Sequence, residues 1–206
     1  MQEAWHKNVQ AGFREYQVKK MIEAGEVDRA IDNYRQLLQL RKDARTATNL
    51  ASALLWKGDA DGAIQVLQEA LRIDPSYAWA HYYLGVSLAR KREYEKAREA
   101  LKEALKLRPD FPEAEFYLGV THASEGQFQE AAAYLLSAVR SRPDAAPARY
   151  YLGLVLERLG RQKEGKAELE ASRRLDPNFS LRQSTSLQGV GGNLPASTLP
   201  AGVALR

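Results

Sequence analysis

Prolines recur along this chain at a fixed interval. Pro75, Pro109, Pro143 and Pro177 are each 34 residues apart, and each has an aspartate beside it, Asp74, Asp110, Asp144 or Asp176. A proline ring lacks the N–H that a helix needs and clashes with the previous turn, so each of these points ends a helix. Other residues keep the same interval. Leu50, Leu84, Leu118 and Leu152 share one phase, and Ala51, Gly85, Gly119 and Gly153 follow one residue later. Ala63, Ala97, Ala131 and Gly165 share a third phase. Leu67, Leu101, Leu135 and Leu169 share a fourth, and Ala70, Ala104, Ala138 and Ser172 a fifth. A period of this length marks a stack of repeated supersecondary units.

Each unit holds two apolar-periodic stretches of short-helix length. In the unit 78–111 these are Ala78–Lys91 and Tyr94–Leu107. Gly58, Gly126 and Gly160 lie between the two stretches, where a left-handed residue stops the first helix. Arg92 takes that phase in the unit 78–111, which predicts a strained turn or another geometry there. Gly85, Gly119 and Gly153 fall inside the first helix. Glycine there costs about 1 kcal/mol of helix propensity, so close packing of two helices must offset it.

The motif Leu84–Gly85, Leu88, Ala97, Leu101, Ala104, Pro109, with its counterparts one period away, resembles the tetratricopeptide repeat (TPR) family. The large aromatic that opens the family pattern is replaced by Ala47, His81, Glu115 and Arg149. The resemblance implies an all-α, right-handed α-solenoid of about five helix–turn–helix units. Four regular units occupy 44–77, 78–111, 112–145 and 146–179. Residues 10–43 read as a degenerate first copy, with Gly25 as the turn glycine and Ala30 as the core alanine, and 1–9 extend its first helix. An atypical terminal unit suits a cap against water. Residues 180–206 hold four glycines, four serines, two prolines and no acidic or aromatic residue, which reads as a flexible tail or linker.

Catalytic chemistry finds no foothold. There is no cysteine, hence no thiolate nucleophile and no Cys-ligated metal. His6, His81 and His122 lack companions at metal-ligand spacing. Phosphate loops and nucleophile elbows are missing, and the carboxylates lie on mixed-charge helix faces such as EYEKAREALKEALK. The expectation is a non-enzyme without cofactor or metal. Charge alternates rather than gathering into a basic stripe. The unit 78–111 has eight Lys and Arg against five Asp and Glu, and 112–145 has two against five. That pattern argues against a nucleic-acid partner. No apolar run is long enough to insert in a bilayer and no signal peptide is visible at the N-terminus, so the expected compartment is the cytoplasm.

The family resemblance implies that the second, fifth, ninth, twelfth and thirteenth positions of each unit face a concave groove. Carried over, the fifth position gives Thr48, Tyr82, Phe116 and Tyr150, and the ninth gives Ser52, Val86, Val120 and Leu154. Trp79 stands at a second position and Trp56 at a thirteenth, while the groove-edge sixth position gives Asn49, Tyr83, Tyr117 and Tyr151. The resulting groove site is Asn49, Ser52, Trp56, Trp79, Tyr82, Val86, Phe116, Val120, Tyr150 and Leu154. It implies a protein–protein interaction scaffold that holds an extended or helical peptide segment of another protein. The sixth-position tyrosines suit packing between units equally well. Two specialisations of the family do not carry over. Asn49 matches one member of a carboxylate clamp, but Trp79 and Tyr83 stand where its basic partners belong, and Asn49 alone fits an asparagine ladder. The other reading is a regulatory or substrate-docking segment of a larger enzyme or envelope assembly. Self-association through the terminal units is also compatible with the sequence.

Overall fold

The computed structural model describes residues 17–179 apart from 19 and 23. The expected helix extension at 1–9 and the expected tail at 180–206 lie outside the described residues. Gln17, Val18, Lys20, Met21 and Ile22 are helical, and a turn at Gly25 follows. Nine helices then follow among the described residues. They are α1 (Val27–Leu40), α2 (Ala44–Lys57), α3 (Ala60–Ile73), α4 (Ala78–Arg90), α5 (Tyr94–Leu107), α6 (Pro112–Ser124), α7 (Phe128–Ser141), α8 (Ala146–Arg158) and α9 (Gln162–Leu175).

Local chemistry sets these boundaries. Asp43 caps α2 by accepting from the Thr46 N–H at 2.8 Å, and Asp59 caps α3 by accepting from the Gly62 N–H at 2.8 Å. Second helices end at Ile73, Leu107, Ser141 and Leu175, each two residues before a proline. The turns between paired helices share one hydrogen-bond pattern. Asp59 N–H reaches the Leu54 carbonyl and Gly58 N–H the Leu55 carbonyl, and the same pair of bonds recurs from Glu93 and Arg92, from Gln127 and Gly126, and from Arg161 and Gly160. The geometry needs a left-handed residue. Gly58, Gly126 and Gly160 supply it with φ of 91°, 76° and 78°, and Arg92 is forced to 62°. Arg92 therefore adopts the glycine geometry under strain rather than a different turn.

Helices pack as antiparallel pairs, and each pair leans on the next. Ala63, Leu67, Ala97, Leu101, Ala131 and Leu135 are entirely buried where the paired helices cross. The crossing is close because of glycine. A Cβ built on Gly85, Gly119 or Gly153 would lie 2.5, 2.6 or 2.7 Å from the facing leucine Cγ. The close approach offsets the poor helix propensity of these glycines with tight contact to a buried leucine. First helices touch first helices, α2 with α4, α4 with α6 and α6 with α8, whereas second helices make at most marginal contact with one another. The first helices therefore line the inner side of the stack.

Candidate peptide-binding groove

The inner side is built on aromatic rings. Tyr82, Phe116 and Tyr150 occupy the fifth position of α4, α6 and α8, and Tyr83, Tyr117 and Tyr151 follow them. Ring contacts run from Trp79 to Tyr82, Tyr117, Phe116, Tyr151, Tyr150 and Phe179, with successive centroids 5.6, 5.7, 5.1, 5.6, 5.6 and 5.4 Å apart. The edge-on geometry at every step is the arrangement that ring quadrupoles favour. Phe111, the last residue of its unit, fills the space beside this line, 4.5 Å from Trp79 and 5.1 Å from Tyr82.

This packing decides which of the sequence-predicted residues reach the surface. Tyr82 and Val86 have no exposed surface, and Val120 has 3%. Phe116 and Tyr150 are also buried. These five are covered on the inner side, and Tyr82 and Phe116 make ring contacts to the next unit through Tyr117 and Tyr151. Asn49, Ser52, Trp79 and Leu154 are half-buried. Trp56, in the last turn of α2, is 53% exposed. An indole this exposed contributes little to the core, and large exposed apolar groups often mark contact sites.

Polar groups on the inner side are held neutral or tied to the backbone. Burial pushes Tyr83 up to about 12 although Ser52 hydrogen-bonds its hydroxyl. Burial also raises Tyr82 well above the ordinary tyrosine value and raises Tyr151. All three remain phenols at any physiological pH. The Tyr82 hydroxyl is buried and has no hydrogen-bond partner. Arg90 donates from Nη1 to the Leu55 carbonyl, a cation on the C-terminal end of α2. Its Nε and Nη2 are buried without acceptors, and burial lowers its pKa. Arg108 lies over the Trp79 ring at 5.5 Å and over Phe111 at 4.8 Å, giving the half-buried indole a cationic cover.

Arg90, Arg108 and Phe111 were not among the sequence-predicted site residues. The signal for Phe111 was present, because Tyr77, Phe111 and Phe179 share the last phase of the repeat. Nothing in the sequence distinguished Arg90 from other helix-end cations. Among the described residues no cluster of three His, Asp or Glu could hold a metal ion, and no helix is long and apolar enough to cross a membrane.

Two family profiles match the chain. The one described as "Tetratricopeptide repeat" covers residues 82–146 and 118–178, and the one described as "TPR repeat" covers 51–91. The chain belongs to the tetratricopeptide repeat family. Solved TPR structures share the fold. A crystal structure of MamA superposes with a TM-score of 0.65 at 23% identity, covering 80% of this chain and 96% of that one. MamA 41-end from Desulfovibrio magneticus RS-1 gives 0.68 at 19% identity over 82% of this chain and 96% of that one. YrrB, described as a TPR protein with an unusual peptide-binding site, gives 0.60 at 23% identity over 82% and 87%. No curated protein matches the chain. At these identities the likeness shows the fold alone.

Proposed function

We propose that this TPR protein is a non-enzymatic scaffold that captures an extended or helical peptide segment of another protein along the inner faces of α2, α4, α6 and α8. The observation that carries the reading is Trp56, a tryptophan 53% exposed at the end of the helix that begins the regular stack. Trp79 continues the same inner surface. It is preorganised by Phe111 and covered by Arg108, so a peptide group replacing the arginine meets a fixed ring. Leu154 extends the surface to α8, and Asn49 and Ser52 add hydrogen-bonding groups at its start. Indoles in such positions are frequent anchors of binding energy. From Trp79 onward the line of ring contacts fixes the positions of α4, α6 and α8 and so lowers the entropy lost on binding.

Selection of peptides from a random library displayed on phage tests the proposal. Selected peptides should bind the wild type, and Trp56→Ala should weaken them by roughly 30-fold, the loss expected for one aromatic anchor. Leu154→Ser should weaken the longer ones further while the helical circular dichroism is unchanged. Peptides that bind wild type and both variants alike would refute a groove site.

A further inference from the structure

The outer side of the stack carries a cleft that the groove reading does not use. It lies between α3 and α5 over the outward face of α4, and its volume is about 640 Å³. Sites that hold ligands usually span about 300–1,000 Å³. Leu84 and Leu88 form its floor, Ile64 and Leu71 line one wall, and Ala100 lines the other.

The repeat register explains why the cleft is open here. Ala100 has the phase of Tyr134 on α7 and Glu168 on α9. In the next unit Tyr134 stacks on His122 at 5.4 Å, Ser137 donates to Glu115 at 2.6 Å, and Arg98 pairs with Glu125. In the last unit the Arg149–Glu168 ion pair spans the same place at 2.7 Å. The α4 site has only a methyl group at that point. His81 lines the cleft at its edge, where its Nε2 is engaged with the Pro75 carbonyl at 2.9 Å. Leu84 is only partly buried while its counterparts Leu118 and Leu152 are buried.

The lips of the cleft are acidic. Asp61, Glu93, Glu99 and Glu103 face Lys91 and Lys96, four negative groups against two positive. Both lysines are already satisfied, Lys91 by Asp61 and Glu93 and Lys96 by Glu93. Glu99 makes no ion pair among the described residues, and Glu103 pairs with Lys106 outside the cleft lining. A partner therefore meets an apolar floor under lips that carry two more carboxylates than lysines, with Glu99 free of any ion pair among the described residues. The walls are helices whose backbone groups are already bonded within each helix, so an extended chain would find no backbone partners there. A helix brings its own backbone hydrogen bonds and presents side chains at i, i+4 and i+7 to such a cleft.

We propose that the α3–α5 cleft is a second docking site, on the face opposite the groove, for an amphipathic helix of a partner protein with a leucine-type apolar edge flanked by lysine or arginine. The test uses two fluorescein-labelled helical peptides of about 18 residues with leucines at i, i+4, i+7 and i+11, one with flanking lysines and one with flanking glutamates. Fluorescence anisotropy with the full chain should show the lysine peptide binding at least about tenfold more tightly than the glutamate peptide. Ala100→Tyr, which copies the ring of Tyr134, should weaken the lysine peptide by about tenfold or more. The Glu99→Lys/Glu103→Lys variant changes only surface charge and should reverse the preference, which keeps the proposal testable if Ala100→Tyr does not fold. Trp56→Ala should leave the lysine peptide bound, which separates this site from the groove. Equal binding of both peptides, or binding unaffected by Ala100→Tyr in the folded variant, would overturn the proposal. Sedimentation velocity adds a further arm. A wild-type dimer that Ala100→Tyr dissociates would make the occupant a second copy of this chain and overturn the assignment to a partner helix.

Discussion

Gly119→Ala tests the closeness of the helix pairs. In an exposed helix this change stabilises by about 1 kcal/mol, because alanine has the better propensity. Here the added methyl would sit 2.6 Å from Leu135 Cγ and 3.1 Å from both Leu135 Cδ2 and the Ala131 carbonyl oxygen. Carbon atoms prefer separations of about 3.5–4.0 Å, so α6 and α7 must part or Leu135 must leave its rotamer. Leu135 is entirely buried, so any shift presses it on its neighbours in the core. Overpacking of this kind costs about 1–3 kcal/mol. Ala51 occupies the same phase in the unit 44–77, so the crossing can be reset and the cost belongs at the lower-middle of that range. The net expectation is a destabilisation of about 1 kcal/mol, opposite in sign to the propensity effect. Urea unfolding followed by circular dichroism measures it. A double-mutant cycle sharpens it. Leu135→Ala alone should cost about 2–5 kcal/mol through a cavity, and the pair should cost at least about 1 kcal/mol less than the sum, because the new methyl occupies part of that cavity. A Gly119→Ala variant more stable than wild type, or strictly additive costs, would refute the close-crossing argument.

Tyr82→Phe should stabilise the fold by about 1 kcal/mol, read from the thermal midpoint, because it removes a buried hydroxyl that has no partner. A loss of stability would mean that the hydroxyl is hydrogen-bonded in solution. Arg92→Gly should stabilise by roughly 0.5–1 kcal/mol in the same assay, the left-handed strain relieved exceeding the added chain entropy; a decrease would show that the turn is unstrained. His122 is held below the ordinary histidine pKa, first by burial and then by Arg98 and Lys102, against the opposing bond to Gln127. The unfolded chain therefore binds a proton more readily, and stability falls as pH drops through the ordinary histidine range. Urea midpoints at pH 7 and pH 5 should differ less in His122→Gln than in the wild type, and an unchanged difference would assign the slope to other groups.

The helix pairs, their turns and their stacking were legible in the sequence because they depend on backbone-setting residues. Proline ends a helix wherever it stands, and Gly58, Gly126 and Gly160 announce the left-handed turn directly. Even the awkward turn was readable, since Arg92 breaks the glycine phase and carries φ 62°. Exposure on the inner face was not legible. The fifth position points inward in a regular unit, but Tyr82 is covered by Phe111 from the end of its own unit and by Tyr117 from the next. Those are contacts between residues far apart in the chain, and periodicity within one helix does not report them. The outer cleft was hidden for the same reason. Ala100 looks like an ordinary helix alanine until Tyr134 shows what its position can hold.

The line of rings has a consequence for how the units are joined. Stability in a repeat array is a sum of unit terms and nearest-neighbour terms, and each edge-on ring pair adds about 0.5–1.5 kcal/mol to the latter. Ring pairs cross both junctions after Phe111, through Tyr82–Tyr117 and Phe116–Tyr151. At the junction between 44–77 and 78–111 the same positions hold Thr48 and Asn49, and among the described residues no ring pair crosses it. Rings therefore join the units from α4 onward, whereas the first junction is joined by polar bonds, Arg90 to the Leu55 carbonyl, Lys91 to Asp61 and Ser52 to the Tyr83 hydroxyl. Trp56 and Trp79 stand on either side of that joint, so any segment that bridges the two indoles crosses the one regular junction held by polar bonds rather than by rings.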